Sequence, residues 1–256
     1  MRPVSWSVRL RSALFFVLYN LVGILHSLLC LITAPFLSYP QRYRFVNLWT
    51  RAAMWLLQHI NGVRFDIRGQ ENIPRDEPVV LLANHQSQWE TFYLQLLVAP
   101  QAAVLKRELL WVPFFGWGLA LTRPIAINRR QRRNALRTLI TQGKSRLNSG
   151  ISVAIYPEGT RQPPGQVGSF SAGGAMLACQ AGRRILPIAH NAGYCWPARS
   201  MLRLPGTITL VIGTPIDTTG KSVREVGSEV ETWIRRQVEA LPKAVSEPDN
   251  SPCNGN

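Results

Sequence analysis

The first 65 residues contain neither aspartate nor glutamate; the earliest acid is Asp66. The same stretch carries Arg2, Arg9, Arg11, Arg42, Arg44, Arg51 and Arg64. One-sided charge of this kind excludes cationic partners there and selects anionic ones. Cysteine is also scarce. Cys30, Cys179, Cys195 and Cys253 have neither metal-type spacing nor the paired framework of a disulfide-stapled domain. That excludes a zinc module and is consistent with reduced thiols in a cytosol-facing protein. No internal repeat is present, so a repeat architecture is excluded.

What is present is 256 residues with a formal net charge of +15, a pI near 10.8 and a mean hydropathy of zero. The length suffices for one sizeable core plus an anchor. Nucleic acid, anionic lipid and an acidic carrier protein all match the charge. The arginines flank apolar segments, which suits a membrane surface rather than a DNA groove. No nucleic-acid partner is therefore expected.

Ala13 to Leu37 is nearly all apolar and carries no charge. As a helix it would extend about 37 Å at 1.5 Å per residue, enough to cross a bilayer. It is too long for a signal peptide, and no small-x-small cleavage site follows. Positive residues flank both ends, so the charge rule fixes no topology. A hairpin dipping into one leaflet is preferred to a span. Pro35 and Pro40 are expected to break the helix. Gln41 to Asn61 follows as an amphipathic helix, with Phe45, Leu48, Trp49, Ala52 and Leu56 on one face and Arg44, Asn47, Arg51 and Gln58 on the other.

From Val63 the pattern alternates. Strands are predicted at Val63–Gly69, Val79–Ala83, Ala103–Lys106, Pro124–Asn128, Ile151–Tyr156, Ile185–His190 and Thr207–Gly213. Helices are predicted at Trp89–Leu97, Trp111–Ala120, Arg130–Asn148, Gly173–Ala181 and Ser222–Leu241. The fold class is α/β: a central, largely parallel mixed sheet covered by helices, preceded by an N-terminal membrane-binding helical pair. The expected division is 1–61 for the anchor helices, 62–242 for the α/β domain and 243–256 for a disordered tail rich in Pro, Asn, Ser and Gly.

Two segments carry the chemistry. Asn84-His85-Gln86-Ser87-Gln88-Trp89-Glu90 follows the second strand, and Tyr156-Pro157-Glu158-Gly159-Thr160-Arg161 follows the fifth. Strand ends are where open α/β folds keep their sites. An imidazole takes a hydroxyl proton near neutral pH. Glu90, on a turn entering a helix, can return to the His85 ring, fix its tautomer and stabilise the imidazolium. Gly159 permits a close turn, and Arg161 can grip a phosphate bidentately.

His85, four intervening residues and an acid, with Glu-Gly-Thr-Arg downstream, resemble the glycerolipid acyltransferase family over about Val63 to Gly213. The resemblance implies catalytic His85 and Glu90. It also implies an acceptor-binding group formed by Glu158, Gly159, Thr160 and Arg161, with Glu158 structural or positioning. Pro113 to Trp117 and Ile125 to Arg129 resemble the family's middle motif, making Arg129 and Lys106 further phosphate-ligand candidates. The family commonly has Asp where Glu90 and Asn128 stand, and often Lys where Ser171 stands. Ile185 to Gly193 is expected to shape a substrate pocket, with His190 packed rather than catalytic. The basic run from Arg129 to Arg146 would dock an acidic carrier protein or anionic headgroups.

The activity so implied is transfer of a fatty acyl group from a thioester of acyl carrier protein or coenzyme A to the sn-2 hydroxyl of 1-acyl-glycerol-3-phosphate (lysophosphatidic acid). The expected setting is the cytoplasmic side of the inner membrane, without metal or bound cofactor. A different lyso-lipid acceptor, or a non-catalytic basic protein binding the membrane surface, are the alternatives.

Overall fold

A computed structural model describes residues 4–242; the tail expected at 243–256 lies outside the described residues. Helix α1 (Trp6–Thr33) opens under the cap of Ser5, whose hydroxyl accepts the Val8 amide. It runs into a short 3-10 turn at Ala34–Phe36. Helix α2 (Tyr39–Asn61) carries a Ser38/Gln41 capping box and ends at Gly62, whose φ of 68° is left-handed. Pro40, expected to separate the helices, instead opens the second: an N-terminal helix position needs no amide hydrogen.

The inward face of α2 also differs from expectation. Leu48 is exposed and Asn47 is buried. Helix α2 is clasped from two sides, by α1 and by the α/β domain. Its buried face is therefore wider than one stripe and takes in Tyr43, Asn47, Thr50, Ala53, Met54 and Leu57. Asn47 is tolerated there because its amide donates to the Tyr43 carbonyl at 2.9 Å.

The domain begins with β1 (Val63–Arg68), β2 (Val80–Ala83), α3 (Trp89–Leu97) and β3 (Gln101–Lys106). A 3-10 turn (Arg107–Trp111), α4 (Phe115–Ala120), β4 (Ile125–Ile127), α5 (Arg132–Asn148) and β5 (Ser152–Ile155) follow. Then come α6 (Gly173–Ala181), β6 (Ile185–His190), β7 (Gly206–Ile212) and α7 (Val223–Ala240). All seven predicted strands form. The single helix predicted over Trp111–Ala120 is instead broken at Pro113, because the residue before a proline is pushed out of the helical region. Val112 is extended there, and Phe114 has a positive φ of 62°.

The strand order is β1-β7-β6-β2-β5-β3-β4. Every neighbouring pair is parallel except β6 with β7. The central strands β2, β5 and β6 are buried along their whole length, as strands covered on both faces must be. One face packs against the N-terminal helices and α3, the other against α5, α6 and α7. Helix α7 shows the pattern most simply: Val226, Val230, Ile234 and Val238 recur every fourth residue and are all buried. Each such side chain contributes about 1.5–3 kcal/mol relative to exposure.

Helix α1 lies along the domain. Near its start Ser12 Oγ accepts the Arg203 amide at 2.9 Å. Near its end Ser27 Oγ donates to the Phe114 carbonyl at 2.5 Å. Between them the Phe15 ring meets Trp196 edge-on at 5.4 Å. The opposite face leaves Leu10, Leu14, Val17, Leu21 and Leu25 exposed. This helix is long and apolar enough to cross a membrane. Yet it is fastened to the domain at points 15 residues apart, roughly 22 Å of helix.

Candidate active site

Strands β2 and β5 are parallel neighbours with Leu82 opposite Ile155. Their carboxyl ends therefore emerge side by side, and two motifs more than sixty residues apart in the chain become one site. Asn84 fixes the first. Its side-chain amide donates to the His190 carbonyl at 3.0 Å and its oxygen accepts the His190 amide at 2.9 Å. The His190 ring donates from Nε2 to the Asn84 carbonyl at 2.8 Å and accepts the Ala192 amide at Nδ1. Both ring nitrogens are thus occupied in the neutral form. Burial pushes the ring below its ordinary value, and His190 is a packed structural residue.

His85 differs. Its Nδ1 lies 2.8 Å from Glu90 Oε1, while its Nε2 has no hydrogen-bond partner among the described residues and the side chain is 11% exposed. Glu90 Oε1 also accepts the amides of Gln86 at 3.1 Å and Ser87 at 2.9 Å. This is where the longer arm of Glu goes: from the first turn of α3 it reaches back over the preceding loop. Burial acts to raise the Glu90 carboxyl, but the His190 and His85 rings and the Ser87 amide outweigh it, so the group is held below its ordinary value. An ionised Glu90 requires the proton on His85 Nδ1 and leaves Nε2 as the basic nitrogen. The imidazole face stacks on Tyr156, with centroids 4.5 Å apart.

Glu158 faces inward. One oxygen accepts the His85 amide and the other the Gly168 amide, each at 2.7 Å. Burial raises its carboxyl, with both amides acting in the opposite direction. The side chain grips the His85 loop: of the two places expected for Glu158, in the acceptor-binding group and as a positioning residue, its contacts are those of the second. Gly159 closes a turn onto the Tyr156 carbonyl at 3.0 Å with φ of 68°, a conformation that a side chain would strain. Thr160 is exposed.

Arg161 donates from Nε to the Ser87 carbonyl at 2.8 Å, leaving its terminal nitrogens free among the described residues. Arg129 donates to the Gly159 carbonyl. Burial first, and the charge of Arg161 second, push Arg129 below its ordinary value. Glu108 acts in the opposite direction, but neither guanidinium forms an ion pair with a carboxylate among the described residues, an arrangement that favours an anion. Lys106 ends β3 opposite Ile127, but its ammonium is half exposed and lies 3.8 Å from Glu108. It makes no hydrogen bond to His85 or to either arginine. Asn128 turns its side chain onto the Arg130 amide at 3.1 Å.

The amides of His85, Gln86 and Ser87 are committed to the two glutamates. Those of Gln88, Thr160 and Arg161 have no acceptor among the described residues.

Beside the loop, α1, α2, α3 and α4 line a half-open cavity of about 440 Å³, with Phe16, Tyr19, Trp49, Phe92, Phe115 and Gln88 among its wall residues. Sequence reasoning missed this cavity, the Asn84–His190 clamp and the Tyr156 stack. Asn84 and Tyr156 adjoin the recognised motifs; the cavity arises from helix packing and has no local signal.

A buried carboxylate–imidazole pair with a free Nε2, paired arginines and an apolar chamber define an enzyme that moves an apolar group onto a hydroxyl of an anionic acceptor. The acyltransferase family model matches residues 64–191, and the chain belongs to that family. It is 45% identical over 249 residues to the 1-acyl-sn-glycerol-3-phosphate acyltransferase of Pseudomonas aeruginosa, covering 94% of this chain and 96% of that one. An acyltransferase of the same description from Chlamydomonas reinhardtii is 32% identical over 82% of this chain and 64% of its own length. The crystal structure of the 1-acyl-sn-glycerophosphate acyltransferase of Thermotoga maritima superposes with a TM-score of 0.79 at 26% identity, covering 94% of this chain and 98% of that one.

Proposed function

We propose that the protein transfers a fatty acyl group from an acyl thioester to the sn-2 hydroxyl of 1-acyl-glycerol-3-phosphate, giving phosphatidic acid for phospholipid biosynthesis. The observation that carries this reading is the free Nε2 of a Glu90-oriented His85 together with two guanidiniums that are held by backbone carbonyls and form no ion pair among the described residues. His85 Nε2 takes the acceptor hydroxyl proton while the oxygen attacks the thioester carbonyl carbon. Glu90 stabilises the imidazolium, and free loop amides receive the oxyanion. The C–S bond then breaks, and the imidazolium returns its proton to the departing thiolate. Arg161 and Arg129 hold the phosphate and so place the hydroxyl.

The cavity accommodates acyl chain. Its walls include α1, so substrate drawn laterally from a bilayer reaches the site without crossing water. With α1 fastened to the domain near both ends and its outer face apolar, the protein rests in one leaflet, on the cytoplasmic side of the inner membrane. The donor is a thioester of acyl carrier protein or coenzyme A. The exposed Arg132, Arg133 and Arg137 of α5 favour an acidic carrier protein.

The test is purified full-length protein in mixed micelles with labelled lysophosphatidic acid and either donor, following phosphatidic acid and released thiol. Wild type should form both. His85→Ala should be slower by at least about a hundredfold with an unchanged circular dichroism spectrum. Absence of phosphatidic acid with both donors, or preferential acylation of another lyso-lipid, would overturn this acceptor assignment.

A further inference from the structure

Arg203 is the buried cation among the arginines and lysines of the described residues, 7% exposed. Its Nη1 donates to the carbonyls of Ser200 and Leu202, each at 3.0 Å. Its guanidinium lies against aromatic surface, 4.2 Å from the Trp196 centroid and 5.6 Å from that of Phe15. Its Nε is buried with no partner, and no carboxylate pairs with it among the described residues. Burial pushes it down to about 10, still cationic at neutral pH. Carbonyls and rings offset part of the cost of burying this charge, but an unpaired buried ion remains short of full compensation.

Its position indicates what would complete it. Arg203 forms part of the wall of the 440 Å³ cavity, as does Gln88. Gln88 adjoins Ser87, whose carbonyl holds Arg161. Tyr19, another wall residue, lies 6.1 Å from Trp196 and is within the field of both Arg203 and Arg161. Arg203 thus faces a chamber whose Gln88 side adjoins the loop that holds Arg161. Helix α1 holds Arg203 in place through Ser12, so this cation is built into the junction of anchor and domain.

We propose that Arg203 is a third cation on the acceptor phosphate, meeting it from the cavity side while Arg161 and Arg129 meet it from the rim, and that the trio selects a phosphate monoester over a phosphodiester. The inference rests on the reading of the acceptor as a lysophosphatidic acid. Near neutral pH a monoester carries between one and two negative charges and three terminal oxygens. A diester carries one charge and two free oxygens. Bound at the same place, a diester leaves one guanidinium buried and unmatched, and that surplus cation is the penalty which rejects it.

The experiment compares kcat/KM for lysophosphatidic acid with that for its phosphate monomethyl ester, which removes one ionisation and adds little bulk. Wild type should prefer the monoester by about tenfold or more, the scale of one charged hydrogen bond. Arg203→Met should lose most of that preference through the monoester, with KM for the acyl donor unchanged. Arg203→Lys should retain part of it. A purely structural role would slow both acceptors alike and leave their ratio as in wild type, overturning the inference, as would a rise confined to the donor KM. If Arg203→Met does not fold, the wild-type comparison decides: equal use of the two acceptors overturns the proposal. Failure of wild type to acylate lysophosphatidic acid at all would instead overturn the acceptor assignment on which it rests.

Discussion

Replacing Glu90 by Gln separates charge from geometry at this site. In most histidine–carboxylate pairs the amide isostere can turn its NH2 toward the ring and force the other tautomer. Here the oxygen facing His85 also accepts the Gln86 and Ser87 amides. The substituted carboxamide must therefore place its own oxygen there, and the Nδ1–H tautomer survives. Its NH2 then takes the place of Oε2, a buried atom with no hydrogen-bond partner. An amide left unsatisfied costs about 1–3 kcal/mol, within the roughly 5–15 kcal/mol that holds a typical domain. The protein should therefore fold with a lowered Tm. Turnover should fall about a hundredfold, because the imidazolium loses its counter-charge.

Glu90→Ala would strip three buried donors at once and should unfold or nearly so. Glu90→Asp shortens the arm by one methylene and should lose about tenfold in turnover, the effect of about 1.4 kcal/mol, although Asp is the usual residue of the motif. Thiol release from the donor, read beside thermal melting, gives both quantities. A folded Glu90→Gln protein with near wild-type turnover would refute the electrostatic role and leave Glu90 as a tautomer-setting group only.

Arg161→Lys keeps the charge but loses the planar fork, so KM for the phosphorylated acceptor should rise roughly tenfold and that for the donor far less; equal rises would make Arg161 a fold support. For topology, cysteines placed at Ser5 and Lys221 should react with an impermeant reagent from the same side of sealed vesicles, whereas labelling from opposite sides would demonstrate a crossing helix. For pH, His190 is held below its ordinary value by burial, so the unfolded chain takes up that proton first. Its stability contribution is complete above about 6.5 and is lost as pH falls below it. Glu90, also depressed, adds loss in the same direction below about 4.3. The Tm should thus decline from pH 7 to 5, less steeply in His190→Gln, and a pH-independent Tm would contradict the buried neutral ring.

Local pattern alone determined a good deal. The seven strands, the His85–Glu90 and Glu158–Arg161 segments and the acid-free N-terminal region were all legible, because apolar periodicity and motif spacing are properties of neighbouring residues. Tertiary structure decided the rest. Pro40 reads as a breaker until its place in the first turn of α2 is known. Leu48 and Asn47 exchanged expected faces because two separate surfaces clasp α2, and a one-stripe pattern cannot anticipate a second contact. Glu158 and Arg161 read as parts of one acceptor-binding segment, with Glu158 structural or positioning. Only the folded loops show one turned inward onto the His85 and Gly168 amides and the other left with free nitrogens. Arg203 stands among ordinary loop residues in the sequence. It acquires meaning only when packing of α1 against the domain buries it beside Trp196 without a counter-ion, because the cost of an unpaired charge depends on surroundings assembled from distant parts of the chain.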